Sequence, residues 1–263
     1  MGSESAPPLL LYGSRASWAL SLALLGLWVQ RYLGGLGLAP AAAADGGNDT
    51  SALFNWHPVC MVLAFGVCMT ESLLAFRGHA LGGAFARLGG AKGLHLALHS
   101  VAILAVLFGL VTVVQSHTLK RPTPMNDMYS SHSYLGALAA FLFLLQYAAA
   151  FAVYWLEGFK AYRKPLLAAH RALGFVVWSL GIATCMSGVT EKATFVYAYG
   201  TANFKVVTLL DHYSPALFLP GLLQLALAGL WTCTAVHLLF PFFEEGPRKA
   251  GGLDAGEARP LLA

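Results

Sequence analysis

Apolar residues fill this chain in long runs, and short polar stretches separate the runs. Six of them are long enough to cross a bilayer, because about 20 helical residues span a hydrocarbon core of about 30 Å. They cover roughly residues 16–38, 57–77, 95–116, 132–156, 170–190 and 213–240. We therefore predict an all-α integral membrane protein with six transmembrane helices, built as one domain over residues 1–263 with short tails at 1–15 and 241–263.

Composition excludes an ordinary soluble domain. The chain is 57% hydrophobic and only 11% charged, with a mean hydropathy of +0.64. The six runs use nearly the whole chain, so any chemistry takes place inside the helical bundle or at its two ends. The first run is longer than the apolar part of a signal peptide and follows Arg15, and we predict that it is retained as a helix.

Charge predicts the orientation of the helices. The loop between the first two segments carries no Lys or Arg, whereas basic residues gather in the loops after the second and fourth segments and in the C-terminal tail: Arg77, Arg87, Lys92, Lys160, Arg163, Lys164, Arg248, Lys249 and Arg259. The positive-inside rule then places both termini in the cytoplasm. This orientation puts the glycosylation sequon Asn48-Asp49-Thr50 on the outer or lumenal side.

Four histidines lie near the starts of four consecutive segments, the second to the fifth. His57 and His132 begin segments that enter from the outer side, and His95 and His170 begin segments that enter from the cytoplasm. An imidazole inside a membrane marks a functional site by default, and two that face each other can be the axial ligands of a haem iron. The pattern indicates one haem near each face and electron transfer across the membrane. No Cys-x-x-Cys-His motif occurs, so we expect non-covalent b-type haems.

The residues alone leave several alternatives open. His99 lies one helical turn beyond His95 on the same face, where it is either a hydrogen-bond partner of a haem propionate or of the second ligand, or a competing ligand. Glu71 is expected to face the bundle and to pair with a basic residue or to approach a haem propionate through water. Two other functions also remain: a six-helix transporter whose histidines relay protons, and a haem-binding electron carrier that has another donor or serves a protein partner.

Five motifs resemble the cytochrome b561 family, and together they cover the second to the fifth segment. They are Phe54-Asn55-Trp56-His57-Pro58, Leu73-Leu74-Ala75-Phe76-Arg77, Leu94-His95-Leu96-Ala97-Leu98-His99, Tyr129-Ser130-Ser131-His132-Ser133-Tyr134-Leu135-Gly136 and His170-Arg171-Ala172-Leu173-Gly174. The resemblance implies a di-haem core over about residues 57–190, with His95 rather than His99 as a ligand. It also implies an enzyme that moves electrons from cytoplasmic ascorbate to monodehydroascorbate or a ferric iron chelate on the other side.

One motif departs from the family pattern. The family often has Ser-Leu-His-Ser-Trp around the outer ligand, whereas this chain has Ser130-Ser131-His132-Ser133-Tyr134. The ligand is kept, but the identity of the outer acceptor stays open.

We expect the substrate-binding residues near the two ends of the bundle. Because ascorbate is a monoanion, we expect basic residues to bind it in the cytoplasm: Arg77 and Lys92 first, then Lys160 and Arg163. On the outer side, the candidates for the acceptor site lie in the predicted loop before His132: His117, Lys120, Arg121 and Tyr129. His117 resembles a loop histidine that the family uses near its outer substrate, and there it could take up the proton that ascorbate chemistry involves.

The C-terminal tail carries a sorting signal of a recognisable type. Glu257 precedes Leu261 and Leu262, which resembles an acidic dileucine motif that adaptors read on endosomal or lysosomal proteins. We therefore predict an endosomal or lysosomal membrane, with the plasma membrane as the alternative. The lipid bilayer is the expected environment, no nucleic-acid partner is indicated, and the family resemblance is compatible with a homodimer.

Overall fold

The computed structural model describes residues 7–43, 46–77, 89–198 and 215–244. Among them, six helices are long and apolar enough to span a membrane. We number them as spans 1 to 6 in chain order: Pro8–Tyr32, Ser51–Arg77, Gly90–Thr118, Ser131–Trp155, Glu157–Tyr197 and Phe218–Phe240. The prediction of an all-α fold with six transmembrane helices is confirmed. Arg87, the basic residues of the tail and its dileucine motif lie outside the described residues.

Spans 2 to 5 form a four-helix arrangement, which the pair of spans 1 and 6 flanks. Span 2 packs against spans 3 and 5, and span 4 packs against the same two helices. Spans 1 and 6 lie along each other, and they contact spans 2 and 5, respectively. Following the predicted orientation, we call the end where spans 1, 3 and 5 begin the inner end, and the opposite one the outer end. Spans 2 and 4 lie diagonally across the four-helix arrangement, as do spans 3 and 5.

The hydrophobic core joins all of these spans. Its buried side chains include Trp28 of span 1, Phe65 of span 2, Val106 of span 3, Phe143 of span 4 and Trp178 of span 5. Large apolar side chains on spans 3 and 4 are exposed, for example those of Leu104 and Phe141. Exposed apolar surface of this kind suits contact with lipid tails.

Span 1 begins earlier than the hydrophobic run predicts. The helix covers Pro8–Tyr32, so the prediction that residues 1–15 form a tail is wrong from residue 8 onward. Proline suits the first helical turn, and the Arg15 side chain, which interrupts the apolar pattern, is held by an ion pair within the protein. The helix ends before Gly34 and Gly35, whose φ angles of 84° and 78° favour glycine.

Span 2 contains a π-helical turn at its centre. It is built from five consecutive helical elements: Ser51–Phe54, Trp56–Met61, the π-helical turn Val62–Cys68, Met69–Leu74 and the 3-10 turn Ala75–Arg77. The wider turn alters the backbone hydrogen-bond ladder. The carbonyl oxygen of Phe65 accepts hydrogen bonds from Trp178 Nε1 at 3.2 Å and from Thr70 Oγ1 at 3.5 Å.

The remaining elements close the two ends. Span 5 joins a 3-10 helix, a long α-helix and a π-helical turn: Glu157–Tyr162, Arg163–Ala193 and Thr194–Ala198. Span 6 belongs to the helix Pro215–Glu244. At the outer end, two short antiparallel strands, Ala41–Ala42 and Asn48–Asp49, form a hairpin in which Ala41 is opposite Asp49. The Asn48 side chain donates from Nδ2 to the carbonyl oxygen of Leu119 at 2.7 Å and fastens this hairpin to the end of span 3.

Candidate functional site

Two pairs of histidines face each other, one pair near each end of the bundle. The ring centres of His57 and His132 are 6.1 Å apart at the outer end, and their planes cross at 85°. At the inner end the ring centres of His95 and His170 are also 6.1 Å apart, with planes at 70°. Each pair joins two diagonal spans. The structure therefore brings together the partners that the sequence predicts.

Backbone carbonyls orient the outer pair. His57 Nδ1 lies 3.1 Å from the carbonyl oxygen of Gly109, and His132 Nδ1 lies 3.1 Å from that of Thr184. Ser187 Oγ is a second neighbour of His132 Nδ1, at 3.2 Å. A neutral imidazole that donates from Nδ1 keeps the lone pair of Nε2 for a metal, and such a bond fixes the ring as a metal ligand.

The inner pair is held by a different set of contacts. His95 Nδ1 lies 3.0 Å from the carbonyl oxygen of Ser72 and 2.8 Å from its hydroxyl oxygen. His170 is anchored through its backbone, because the side-chain amide of Gln146 donates to its carbonyl oxygen at 3.0 Å. The ring of Tyr154 lies 5.2 Å from that of His170.

These contacts define two levels in the bundle, at nearly the same separation on every helix. Fourteen residues separate His95 from Gly109, and the same interval separates the corresponding residues of span 4, His132 and Gln146, and of span 5, His170 and Thr184. At 1.5 Å per residue the levels lie about 21 Å apart. In span 2 the interval from His57 to Ser72 is fifteen residues, and this is the span with the π-helical turn.

The spacing within each pair fits a haem. Two metal–nitrogen bonds of about 2 Å, together with the distance from each nitrogen to its ring centre, give about 6 Å between the ring centres. Close packing also protects the outer ligand, since a Cβ atom on Gly188 would lie 2.6 Å from Cε1 of His132. At both ends, therefore, the histidine geometry suits axial ligation.

Unsatisfied polar atoms surround the inner pair. His99 Nδ1, Gln146 Oε1 and Tyr154 OH are buried, and none of them has a hydrogen-bond partner among the residues that the structure describes. Buried polar atoms are normally paired, so these three are ready to bond the polar groups of a cofactor such as haem propionates. The His99 ring lies 4.5 Å from that of His95 and 5.6 Å from that of Phe143. His99 thus lies beside the inner pair, and its role stays a prediction.

Three of the four basic residues proposed for ascorbate binding hold helix ends. Arg77 Nη2 donates to the carbonyl oxygen of Leu238 at 2.8 Å, in the last turns of span 6. Lys92 Nζ and Arg163 Nε donate to carbonyl oxygens of span 4, at 2.8 Å and 3.1 Å. Bonds of this type satisfy the last carbonyls of a helix and suit its negative end. Lys160 is exposed.

The loop positions predicted for Lys92, Lys160 and Arg163 are wrong, whereas Arg77 ends span 2, as the predicted segment 57–77 does. Arg77 and Lys160 lie in 3-10 turns, Lys92 lies in the first turn of span 3, and Arg163 begins the long helix of span 5. Lys92 and Arg163 lie beyond the predicted apolar runs and bond carbonyl oxygens at the inner end of span 4. The substrate role of the four residues is a separate matter and stays a prediction.

Arg171 is an inner-end cation that the charges of the predicted loops do not reveal. It is exposed and lies close enough to interact electrostatically with Arg77, Tyr154 and His170. The signal in the sequence is its position directly after a predicted ligand, because the side chain of such a residue begins at the level of the ligand. Arg77 and Arg171 together make the surface near the inner pair positive.

His117 is part of a helix and not of a loop, which corrects the sequence prediction. It lies in the last turn of span 3, where the hydroxyl groups of Ser116 and Thr118 bond carbonyl oxygens of the preceding turn. Its Nδ1 atom is 2.6 Å from Asp127 Oδ1. Its ring stacks on that of Phe54, with centres 6.3 Å apart and planes at 18°.

Phe54 connects His117 to the outer pair. The Phe54 ring centre is 5.9 Å from that of His57, and the Lys192 ammonium lies 4.2 Å above the same ring. Lys192 was not among the predicted site residues. No sequence signal could have found it, because Phe54 and Lys192 belong to different spans and meet only in the folded bundle.

A cavity of about 370 Å³ opens beside His132 at the outer end. Its lining includes Tyr129, Ser130, Glu191 and Phe195. The Ser130 hydroxyl donates to Glu191 Oε2 at 2.9 Å, while burial and the neighbouring Glu191 carboxylate raise the pKa of Tyr129. Of the predicted acceptor residues, Tyr129 therefore faces this cavity.

The other two predicted residues of the outer loop fasten the hairpin. Lys120 Nζ donates to the carbonyl oxygen of Asn48 at 2.6 Å, and the backbone NH of Arg121 donates to Asn48 Oδ1 at 2.7 Å. The Asn48 side chain thus bonds both Arg121 and Leu119. These contacts hold the start of the outer loop against the strand that leads into span 2.

Glu71 pairs with a basic residue, which is one of the two alternatives that the sequence leaves for it. Its carboxylate accepts hydrogen bonds from Arg15 at 3.0 and 3.1 Å and from Trp18 Nε1 at 3.2 Å. The ion pair links span 1 to span 2, one residue before the Ser72 that holds His95.

Six spans and a facing histidine pair near each end of a four-helix arrangement define a class, the helical membrane cytochromes. A family model described as eukaryotic cytochrome b561 matches residues 56–196, which contain all four of these histidines. The chain belongs to the cytochrome b561 family.

Three relatives illustrate how the similarity extends along the chain. Transmembrane ascorbate ferrireductase 2 of Arabidopsis thaliana is 32% identical over 179 residues, which cover 66% of this chain and 70% of the relative. A lysosomal membrane ascorbate-dependent ferrireductase of Homo sapiens is 33% identical over 193 residues, 71% of each chain. A probable ascorbate-specific transmembrane electron transporter of Oryza sativa subsp. japonica is 26% identical over 250 residues, 94% of each chain.

Proposed function

We propose that this protein is an enzyme that transfers electrons across a membrane, from cytoplasmic ascorbate to ferric iron or monodehydroascorbate on the other side. The observation that carries the proposal is the pair of facing imidazoles at each of two levels, both at 6.1 Å. Levels about 21 Å apart divide a hydrocarbon core of about 30 Å into shorter steps. The names of the relatives support ascorbate as the donor.

The cofactors of this proposal are two non-covalent b-type haems, which would each take up and release one electron. His57 and His132 hold the outer one, and His95 and His170 the inner one. Carbonyl oxygens that accept from Nδ1 keep three of these rings in place. The unpaired polar atoms of His99, Gln146 and Tyr154 support a polar cofactor edge at the inner pair.

Ascorbate is proposed to bind over the inner pair. Arg77, Arg171 and Lys160 supply positive charge there, which attracts an anion and raises its local concentration. Phe76 offers an apolar contact, since its exposed ring lies 5.3 Å from that of His95. Lys92 and Arg163 contribute by fixing the inner end of span 4.

The acceptor is proposed to bind at the outer end. His117, Lys120 and Tyr129 remain the candidates, and the structure adds Phe54, whose ring lies between His117 and His57. The hydrogen bond to Asp127 holds the His117 ring in one orientation, leaving its other nitrogen to exchange a proton with the acceptor.

Orientation and compartment belong to the same proposal. Both termini lie in the cytoplasm, as the distribution of Lys and Arg predicts, and an endosomal or lysosomal membrane is favoured. The support is the acidic dileucine motif of the tail and a human relative that is named as lysosomal. A homodimer and a single membrane domain over residues 1–263 stay predictions.

The test begins with the visible spectrum of the purified protein and its haem content per chain, before and after addition of ascorbate. Two b-type haems that ascorbate reduces are expected. The protein is then placed in vesicles with ferric citrate inside and ascorbate outside, and ferrous iron is measured with a trapped chelator. Vesicles that carry the His57→Ala variant are the control and should form no ferrous iron. A haem-free protein would overturn the proposal.

A second function differs only in the acceptor. An electron carrier for a protein partner would also contain two haems, but the vesicles would form no ferrous iron. The His117–Asp127 pair and the cavity beside His132 favour a small acceptor, because both lie at the outer end. Monodehydroascorbate in place of ferric citrate separates the two small acceptors.

A further inference from the structure

A cation lies one aromatic ring away from the outer histidine pair. The Lys192 ammonium is 4.2 Å from the centre of the Phe54 ring, and the His57 ring centre is 5.9 Å from the same point. A cation over an aromatic face is attracted to it, but the ring does not neutralise its charge. Among the described residues, no Asp or Glu forms an ion pair with Lys192.

Asp49 partly compensates this charge from a distance. Asp49 lies two residues before the start of span 2, which carries Phe54 and His57, and it is close enough to Lys192 to interact with its charge. The position of Asp49 is fixed by a local bond, since its Oδ1 atom accepts from the backbone NH of Ser51 at 2.8 Å. Burial opposes its ionisation, yet the bond from Ser51 and the charges of Lys120 and Lys192 together lower the pKa of Asp49. Asp49 therefore carries a full negative charge at neutral pH.

We propose that Lys192 and Asp49 set the reduction potential at the outer histidine pair, with opposite signs. A positive charge nearby stabilises an added electron, and a negative charge destabilises it. The two charges can act on the reduction potential without direct contact, because partly buried charges interact at an effective dielectric constant of about 20 instead of 80. The inference rests on the proposed function, since it requires a haem between His57 and His132.

The arrangement favours a role in tuning over a role in packing alone. Any long side chain could pack over the Phe54 ring. A charged one loses hydration free energy in this partly buried position, so a role for the charge itself is favoured. Lys192 would raise the electron affinity of a haem held by His57 and His132. Electrons that arrive from the inner haem would then stay longer near the outer surface. Asp49 limits this effect, so that the electron can still leave for the acceptor.

The test is a spectroelectrochemical titration of the full-length protein in detergent, which resolves the midpoint potential of each haem. Lys192→Met should lower the potential of the outer haem, and Asp49→Asn should raise it. Asparagine keeps the hydrogen bond from Ser51, because its side-chain carbonyl oxygen is also an acceptor. Lys192→Arg keeps the charge and should leave the potential near that of the wild type.

The matched control is Lys164→Met, the same substitution at an exposed position near the opposite end of span 5. It should leave the outer potential unchanged. The double variant Lys192→Met with Asp49→Asn should return towards the wild-type value, since the two shifts have opposite signs. If Lys192→Met does not fold, the upward shift of Asp49→Asn still tests the proposal.

The outcomes separate this inference from the function on which it rests. Absence of haem from the wild-type protein would overturn both. Two haems whose potentials do not move in either charge variant would overturn only the role of Lys192 and Asp49. Shifts of the same sign in both variants would also overturn it, because they would report a change of structure instead of charge.

Discussion

The hydroxyl oxygen of Ser72 lies 2.8 Å from Nδ1 of His95, and the carbonyl oxygen of the same serine lies 3.0 Å from it. The ring of His95 is therefore held twice by one residue of span 2. Substitution of the Ser72 side chain removes the contact with the hydroxyl oxygen but leaves the one with the carbonyl oxygen. The electronic environment of the His95 ring can therefore be changed while its orientation is kept.

Ser72→Ala should keep the inner haem and raise its reduction potential. Hydrogen bonds to the outer nitrogen of a ligand make it more basic, which stabilises oxidised iron. Loss of one neutral hydrogen bond, about 0.5–1.5 kcal/mol, corresponds to a shift of about 20–60 mV for one electron. Potentiometric titration measures the shift. Ser116→Ala removes a hydroxyl that bonds within span 3 and serves as the control.

Alanine in place of either member of a histidine pair should remove one haem and leave the other. His95→Ala and His170→Ala are expected to lose the inner haem and with it the reduction by ascorbate. His57→Ala and His132→Ala should keep an inner haem that ascorbate reduces but that delivers no electrons outward. Haem content per chain is the measurement, and His117→Ala should retain both haems. Two haems in all four variants would falsify the ligand assignment.

Gly188→Ala should disturb the outer haem alone. The new Cβ atom would meet the His132 ring at 2.6 Å, and overpacking of this kind costs about 1–3 kcal/mol. We expect a changed low-spin signal for one haem by electron paramagnetic resonance and an unchanged signal for the other. Gly221→Ala is the control, since no atom of the described residues lies within 4 Å of a Cβ atom there. An unaltered spectrum would show that His132 has room to move.

Loss of either member of the Arg15–Glu71 pair should destabilise the protein. The carboxylate is only 10% exposed and the guanidinium 25%, so either substitution removes a poorly hydrated ion pair. We expect Arg15→Met or Glu71→Gln to cost about 1–3 kcal/mol, below the value for a fully buried pair. Thermal unfolding in detergent measures it, and the double variant should lose less than the sum of the two.

Acid should weaken the outer hairpin through Asp49. A carboxyl whose pKa is lowered in the folded state contributes stability above the ordinary pKa of about 4, and this is lost as the pH falls through the folded value. The stability difference between the wild type and Asp49→Asn should therefore be constant from pH 7 to about pH 5. It should shrink below pH 4. A difference that already fades near pH 6 would contradict the lowered pKa of Asp49.

The depth of each histidine could be predicted from the sequence because it depends only on where an apolar run begins. His57 and His132 begin runs that enter from one side, and His95 and His170 begin runs that enter from the other. Their pairing followed, and the structure places both pairs at 6.1 Å. Their hydrogen-bond partners could not be predicted, because Gly109 and Thr184 contribute backbone carbonyls, which leave no signature in the side-chain pattern.

The ends of the helices were harder to predict for a related reason. Hydropathy ends a segment where polar residues begin, but hydrogen bonding continues a helix as long as partners exist. His117 and Arg15 both lie within helices although they fall outside the predicted apolar runs. The contact between Lys192 and Phe54 was beyond prediction, since it depends on how spans 2 and 5 pack.

The equal spacing of the two levels restricts how the chain can gain or lose residues. Fourteen residues are close to four helical turns, so in spans 3, 4 and 5 a single face serves both levels. An insertion or deletion between the levels would rotate one of them by about 100° away from its partner. Span 2 is the exception: its fifteenth residue is taken up by the wide turn Val62–Cys68, so a deletion there would convert that turn into regular α-helix and keep His57 and Ser72 on one face.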